Sequence, residues 1–157
     1  MTTLTEMWSD SLTRCDMAAI DAAWDNLWSV RPDKARIDLA HAEIDRVPLS
    51  LLHELMLTAG HHKHQEVANC IQGRANPASL PTVKKVLDQG FDQFAYTCSE
   101  DAVIAKWFSH ILGNIGTPDA IQLLKTYAES ANDGIATEMK YRLKCLKDKD
   151  YDRPFSP

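Results

Sequence analysis

One short stretch of the chain combines side chains that bind metals and transfer protons. Residues 61–66 read His-His-Lys-His-Gln-Glu. His62 and Glu66 are four residues apart, which would place both on one side of a helix, and the two other histidines form a second pair. The stretch lacks an HExxH motif, and Lys63 would put a positive charge beside any bound cation. Three interpretations stay open: a polar turn at a helix start, a contact for a partner protein, and a metal site.

Signals for other kinds of chemistry are weak. There is no G-x-S-x-G motif, and local patterns supply no Ser-His-Asp or Cys-His-Asn set. The six glycines are scattered at helix ends and form no phosphate-binding loop, and the four cysteines contain no CxxC pair. We therefore expect a non-catalytic protein with no cofactor and no resident metal.

Acidic residues are concentrated in the first third of the sequence. The chain carries a net charge of −5, and residues 1–54 alone hold ten acids and five bases. An acidic surface disfavours the phosphate backbone of nucleic acids and favours a basic protein partner, whose approach it would accelerate at low salt. Acidic surfaces also simply keep proteins soluble, so this second interpretation stays open.

The sequence gives no sign of membrane insertion or export. No apolar run approaches the roughly 20 residues of a membrane span. The opening residues, Met-Thr-Thr-Leu-Thr-Glu, lack the basic and apolar regions of a signal peptide. We therefore expect a cytoplasmic protein that contacts neither membranes nor nucleic acid directly.

Helices must position these residues, because helical periodicity runs along the chain and no segment alternates like a convincing strand. Capping and breaking residues divide the chain into helix pairs at about 16–46, 48–73, 80–115 and 117–147. The predicted starts and ends are Asp16, Val30, Pro32, Pro48, Gly60, Pro81, Gly90, Ser99, Gly116 and Thr117. From residue 148 onward we expect a loose C-terminal tail.

The regular order of the elements predicts the architecture. A helix, a short turn and a second helix recur with a period of about 30–40 residues. One such hairpin cannot bury its apolar face alone, whereas stacked neighbours form a continuous core. We predict a single all-α domain over residues 1–157, built as a HEAT-like α-solenoid of about four stacked helical hairpins.

The second helices of these hairpins would leave a stripe of side chains beside the core. In the third pair, positions 104, 108, 111, 112 and 115 are the predicted core. The neighbouring stripe and its equivalents on the fourth and second pairs give eight candidate partner-binding residues: Trp107, His110, Asn114, Glu138, Tyr141, His62, Glu66 and Asn69. Stacking would line them along one surface, where aromatic anchors and carboxylates suit a basic partner. The alternative is that Trp107 merely covers the next hairpin.

A second candidate contact region lies on the first predicted helix. Trp24 and Trp28 are four residues apart, and Asp21 and Asp25 accompany them. Packing in the core or against a terminal cap is one interpretation of the two tryptophans. The other is an exposed aromatic edge within an acidic patch that binds a partner.

Residues 101–124 resemble the HEAT-repeat pattern, which has an acid before the second helix, an apolar stripe that ends in Leu-Gly-x-Ile-Gly, and a proline that begins the next repeat. The matching positions are Asp101, Ile104, Ala105, Phe108, Ser109, Ile111, Leu112, Gly113, Ile115, Gly116, Pro118, Ala120, Ile121 and Leu124. Thr117 replaces the usual acid before the proline, and Ile104-Ala105 stands where Val-Arg is common. The match covers 99–145 and implies stacked helical hairpins.

The longer block 80–146 is similar to a group of small bacterial immunity proteins. These are HEAT-like proteins encoded beside secreted polymorphic or contact-dependent toxins. The resemblance implies that the chain binds a cognate toxin C-terminal domain, often a basic nuclease, and neutralises it by covering its active-site region. It supplies no toxin-contacting residues, because such surfaces diverge with their toxins. Two alternatives stay open: a general scaffold or adaptor module, and a metal-dependent enzyme that uses residues 61–66.

Overall fold

The computed structural model describes residues 2–29 and 33–152. Within these ranges all regular structure is helical, with nine α-helices, two 3-10 helices and no strand, so the all-α prediction is confirmed. The predicted helix limits at Val30 and Pro32, and the tail over 153–157, lie outside the described residues. The chain divides into two compact units, Met1–Ile71 and Gln72–Pro157. The stacking of all hairpins in one domain stays a prediction.

Unit 1 contains four complete helices and most of a fifth. They are α1 (Leu4–Thr13), α2 (Met17–Trp28), α3 (Lys34–Asp45), α4 (Leu49–Leu57) and α5 (His64–Arg74), which continues past the unit boundary. Asp16 and Asp33 cap α2 and α3 with their carboxylates, as residues of this type do at helix starts.

Helix α1 is absent from the sequence prediction. Thr3 and Glu6 form a capping box at its start, which is a signal that the sequence carried. Only Leu4, Trp8 and Ser11 of this helix are buried, so its apolar stripe is short and one of its inward positions is polar. A weak stripe of this kind does not reveal a helix through periodicity alone.

A row of aromatic rings in unit 1 extends from its core to its surface. Trp8 is fully buried, and its indole Nε1 donates a hydrogen bond to the carbonyl oxygen of Ile20 at 3.0 Å. Its ring stacks on Trp24 with 5.9 Å between centroids, Trp24 meets Trp28 at 6.2 Å, and Trp28 meets the edge of His41 at 5.4 Å. These contacts favour the packing interpretation of Trp24 and Trp28.

Unit 2 contains α6 (Leu80–Gln89), α7 (Asp101–Ile115), α8 (Pro118–Tyr127) and α9 (Asp133–Asp152), with 3-10 turns at Pro77–Ser79 and Asp92–Thr97. Thr117 caps α8 through its hydroxyl, as predicted. Gly116 ends α7 with a φ of +65°, a left-handed conformation that glycine adopts without steric cost.

Two sequence predictions in unit 2 are wrong. Glu100 rather than Ser99 precedes α7, and it makes no side-chain cap. Helix α9 continues through residue 152, so residues 148–152 are helical and not part of a loose tail. The low apolar content of this stretch suggested disorder, but lysines near a helix C-terminus are favourable partners for its negative end.

Helices α7 and α9 run in the same direction and pack closely. A Cβ on Gly134, at the start of α9, would lie 2.7 Å from the backbone nitrogen of Ala102 near the start of α7. A Cβ on Gly113, near the end of α7, would lie 3.1 Å from Cδ of Arg142. The predicted inward stripe of α7 is buried at 104, 108, 111 and 112 and half-buried at 115. The neighbouring stripe is half-buried at 107 and 110 and exposed at 114.

Substitution of Gly134 tests this close approach. Gly134→Ala is expected to lower the free energy of unfolding by about 1–3 kcal/mol, because its methyl group would overlap backbone atoms that cannot move independently. Gly73→Ala is the matched control: no atom lies within 4 Å of its added Cβ, and the change should stabilise by up to about 1 kcal/mol. Chemical denaturation measures both values. Equal effects of the two substitutions would contradict the packing described.

Candidate partner-binding sites

The acidic residues of α2 meet the loop between α4 and α5. Asp21 accepts a hydrogen bond from the backbone N–H of His62 at 2.7 Å, and its second oxygen lies 3.4 Å from Nδ1 of His62. Asp25 pairs with Nζ of Lys63 at 2.8 Å. We call these four residues the α2–loop cluster. The sequence placed Asp21 and Asp25 in one contact region and His62 in another, whereas the structure brings them together.

The carboxylates of the α2–loop cluster differ in how far they remain open to solvent. The Asp25 side chain is 65% exposed although its partner Lys63 is only 15% exposed. Asp21 is half-buried and is held by a backbone amide as well as by an imidazole. Asp25 is therefore open to a second cation from solvent, whereas its partner Lys63 is shielded. Asp21 fixes the loop.

His61 and His64 lie beneath this cluster and are fully buried. Their rings stack with 3.9 Å between centroids. Nε2 of His61 bonds to the carbonyl oxygen of Leu55 at 2.7 Å, and Nε2 of His64 bonds to that of Thr58 at 2.8 Å. Nδ1 of His61 accepts a hydrogen bond from the backbone N–H of Lys63 at 3.1 Å. Both rings therefore serve as neutral connectors between the C-terminal end of α4 and the loop.

Burial keeps this histidine pair neutral. It lowers the pKa of His61, and it lowers the pKa of His64 to about 4 with a smaller contribution from His61. Desolvation disfavours the charged form of a buried imidazole, and a second imidazole in contact adds repulsion.

The metal-site interpretation of residues 61–66 required His62 and Glu66 to lie on one helix, and the structure does not show this arrangement. Helix α5 begins at His64, so His62 and Glu66 do not share one helix face. Among residues 2–29 and 33–152, no group of three or more His, Cys, Asp or Glu side chains is arranged to hold a metal ion. Both buried histidines already bond to backbone carbonyls.

The remaining α5 candidates differ in exposure. Asn69 is exposed to solvent. Glu66 is half-buried, and its Oε2 is shielded from solvent and has no hydrogen-bond partner in the described part of the chain. These two residues belong to unit 1, whereas the candidates at 107–141 belong to unit 2. One continuous surface through all of them stays a prediction.

Trp107 packs mainly within its own unit. Its ring meets Phe94 of the Asp92–Thr97 turn edge-on at 5.8 Å and Phe108 at 6.4 Å. Phe94 and Phe108 are fully buried, and Trp107 is half-buried above them. These contacts favour the interpretation in which Trp107 covers neighbouring core residues. Phe94, which supplies that contact, lies between two predicted helices, and its packing against Trp107 was not predicted.

His110 on α7 is hydrogen-bonded to Arg142 on α9. Nε2 of His110 accepts a hydrogen bond from Nη2 of Arg142 at 3.0 Å. Burial, followed by the charges of Arg142 and Lys106, lowers the pKa of His110 and keeps its ring neutral. Oε2 of Glu138 and Nε of Arg142 are shielded from solvent, and neither has a hydrogen-bond partner among the described atoms.

Arg142 contacts the candidate residue His110 but was not itself a predicted site residue. It lies across α7 because Gly113 has no side chain to block it. Its guanidinium carbon is 5.8 Å from the centre of the Tyr141 ring, within the range of a cation–π contact. Two signals were visible in the sequence: its spacing of four residues after Glu138, and a glycine inside α7.

The two remaining candidates on α7 and α9, Asn114 and Tyr141, are both exposed to solvent. Tyr141 is 55% exposed, which is unusual for a large aromatic side chain. Asn114 donates from Nδ2 to the carbonyl oxygen of Gln72 at 3.4 Å. We call Trp107, His110, Asn114, Glu138 and Tyr141 together the α7/α9 face. Tyr141 is its exposed aromatic side chain, whereas Trp107 and His110 are half-buried.

The two units differ in charge. Residues 1–71 contain eleven acids and six bases, whereas residues 72–157 contain eleven of each. The whole net charge of −5 therefore belongs to unit 1. Lys106, Lys140 and Lys144 are exposed side chains of unit 2. The expectation that aromatic residues, acids and amides of these helices meet a partner together stays a prediction.

Comparison with known proteins adds no relative. No protein-family model, curated protein or solved structure matches this chain. In the described residues, no helix is both long enough and apolar enough to pass through a membrane.

Trp107 and Tyr141 are expected to respond differently to truncation. Trp107→Ala should lower the free energy of unfolding by about 2–4 kcal/mol, because it removes a half-buried ring from Phe94 and Phe108. Tyr141→Ala is the matched surface variant and should change it by less than about 0.5 kcal/mol. Urea unfolding of both variants measures the difference. A neutral Trp107→Ala would mean that its ring is held for a partner.

Proposed function

We propose that this chain is an immunity protein that binds and neutralises a cognate secreted toxin domain, of the nuclease class, by covering its active-site region. The observation that carries the proposal is the confinement of the net negative charge to unit 1. A nuclease active site is basic because it binds phosphates, so an acidic surface is complementary to it. The resemblance of residues 80–146 to immunity proteins supports the same role.

Exposed carboxylates on two helices of unit 1 support this mode of binding. Asp25 on α2 and Asp10 on α1 are both more than half exposed. Asp10 and Glu6 also line an open groove of about 350 Å³ between α1 and α2. In the proposed complex, cationic side chains of the toxin replace Lys63 and Arg14 as partners of these carboxylates. At Asp10, where both members of the pair are exposed, the exchange of one ion pair for another makes the contact specific rather than strongly stabilising.

Unit 2 contributes contacts of another kind in this proposal. Tyr141 offers an exposed ring at low conformational cost, and tyrosine is frequent among residues that dominate binding energy. Residues 72–157 carry equal numbers of acids and bases, so unit 2 adds no net attraction for a basic cleft. We therefore assign Tyr141 to a contact at the rim of the toxin and assign the electrostatic contact to unit 1.

The parallel course of α7 and α9 supports the proposed architecture. Residues 102 and 134 meet at one end of the pair, and residues 110 and 142 meet further along. An offset of 32 residues between equivalent positions is the period expected for stacked helical hairpins. A HEAT-like solenoid of about four hairpins is the arrangement that we propose for the whole chain.

A scaffold or adaptor role is the alternative, and exposed apolar side chains favour it. Leu39 on α3 is 69% exposed beside a groove of about 380 Å³, and Val103 on α7 is 49% exposed. Apolar side chains of this kind would suit a partner whose contact is not basic.

Capture of the partner tests the immunity proposal. The chain, immobilised and exposed to lysate of its native strain, is expected to retain a basic toxin domain that mass spectrometry identifies. The purified domain should lose its nuclease activity when the chain is added in equal amount. Retention of a non-toxin assembly, with no effect on any toxin, would favour the scaffold alternative.

The electrostatic part of the proposal predicts a salt-dependent association rate. Between 50 and 500 mM salt, the rate constant for binding the captured domain should fall at least about tenfold, because steering is screened. The double variant Asp10→Lys/Asp25→Lys should slow association further, as measured by stopped-flow fluorescence. Glu129→Lys/Asp148→Lys in unit 2 changes the net charge equally and is the matched control. A rate independent of salt would contradict steering by unit 1.

A further inference from the structure

We propose that His61 and His64 form an acid-sensitive clasp, which holds residues 58–63 against α2 at neutral pH and releases them on acidification. The inference concerns unit 1 alone and does not depend on the proposed function. It rests on two fully buried imidazoles that stack at 3.9 Å and connect the end of α4 to the loop.

The hydrogen bonds of His61 fix where a proton would add. Nε2 points at the carbonyl oxygen of Leu55 and therefore carries the hydrogen. Nδ1 accepts the backbone N–H of Lys63, so it is the nitrogen with an available lone pair. Protonation at Nδ1 places two N–H groups against each other. The bond that holds the Lys63 amide is then lost.

Loss of that bond affects the contacts that the loop makes with α2. His62 and Lys63 are adjacent residues that reach Asp21 and Asp25 through a backbone amide and an ammonium group. His61 holds the loop in the position in which both contacts form. Release of the loop therefore breaks the contacts with Asp21 and Asp25 together.

His64 makes the closed clasp intolerant of charge. Its ring is stacked on His61, so a proton on either imidazole introduces a cation beside the other ring. Its Nε2 donates to the carbonyl oxygen of Thr58, the first residue of the loop. Both ends of residues 58–63 are thus held by groups that are neutral in the closed state.

Other titratable groups around the pair act in both directions. Asp21 from α2 and Glu66 from α5 raise the pKa of His61, whereas His62 in the loop lowers the pKa of both rings. Desolvation is larger than any of these and lowers both pKa values. A protonated His62 would attract Asp21 and oppose release.

The direction of the pH effect follows from the histidine pKa values. In the closed state the pKa of His64 is about 4, and in the open loop it returns to about 6.5. The closed state is therefore most stable relative to the open loop above pH 6.5, and this stability decreases as the pH falls toward 4. At pH 5 this one residue should increase the population of the open loop about 20-fold relative to pH 7.

Amide hydrogen exchange tests the clasp. After correction for intrinsic exchange rates, the amides of His62 and Lys63 should be at least about tenfold less protected at pH 5 than at pH 7. Amides of α1 around Trp8, a fully buried residue of the same unit, should keep their protection. Unchanged loop protection would overturn the proposal, and so would parallel loss in both regions, since that is general acid unfolding.

A non-titrating variant isolates the two rings. In His61→Asn the side-chain oxygen can still accept the Lys63 amide, and in His64→Gln the side-chain amide can still donate to Thr58. The double variant should show less than a threefold change in loop protection between pH 7 and 5. His41→Gln, which removes an exposed imidazole of the same unit, should retain the wild-type change. A double variant with the full wild-type response would refute the clasp.

The wild-type chain provides a measurement that does not require a folded variant. Carbon-bound ring protons of His61 and His64 report protonation by NMR, and the Lys63 amide reports the loop. Loop opening and protonation of the pair should share one midpoint below pH 6.5. Protonation of both rings with the Lys63 amide still protected would overturn the proposal.

Discussion

The close approach of α7 and α9 is the constraint on which the arrangement of unit 2 depends. Gly134 and Gly113 lie at the two ends of this contact, and a side chain at either position would meet atoms of the other helix. The missing side chain at Gly113 allows Arg142 to reach His110, and the same packing buries one oxygen of Glu138. The polar contacts between α7 and α9 therefore depend on two residues that have no side chains.

In unit 1, an equivalent role belongs to buried polar groups rather than to glycines. His61 and His64 connect the end of α4 to the loop, and the loop presents His62 and Lys63 to the carboxylates of α2. Buried polar groups carry a large desolvation cost unless they are hydrogen-bonded. This is why both histidines bond to backbone carbonyls, and why a proton on either would disturb a surface several residues away.

The two surfaces differ in what they offer a partner. Unit 1 combines exposed carboxylates with the net charge of the chain, whereas the α7/α9 face offers an exposed tyrosine in a unit whose charges balance. Long-range attraction follows net charge, and short-range affinity follows a few well-placed aromatic contacts. A partner that bound both surfaces would be attracted by the charge of unit 1 and would also contact Tyr141. The net charge alone therefore does not locate every residue that such a partner would contact.

The sequence by itself determined the helical class, most helix starts, and the buried stripe of α7, because caps, breaks and 3.6-residue periodicity are local properties. It missed α1, whose stripe is short, and it ended α9 too early, because propensity rather than burial continues that helix. Only the tertiary structure decided that Asp21 meets His62, that Arg142 meets His110, and that Trp107 rests on Phe94. These pairs are more than ten residues apart in the chain, and packing between helices, which no local pattern encodes, brings them together.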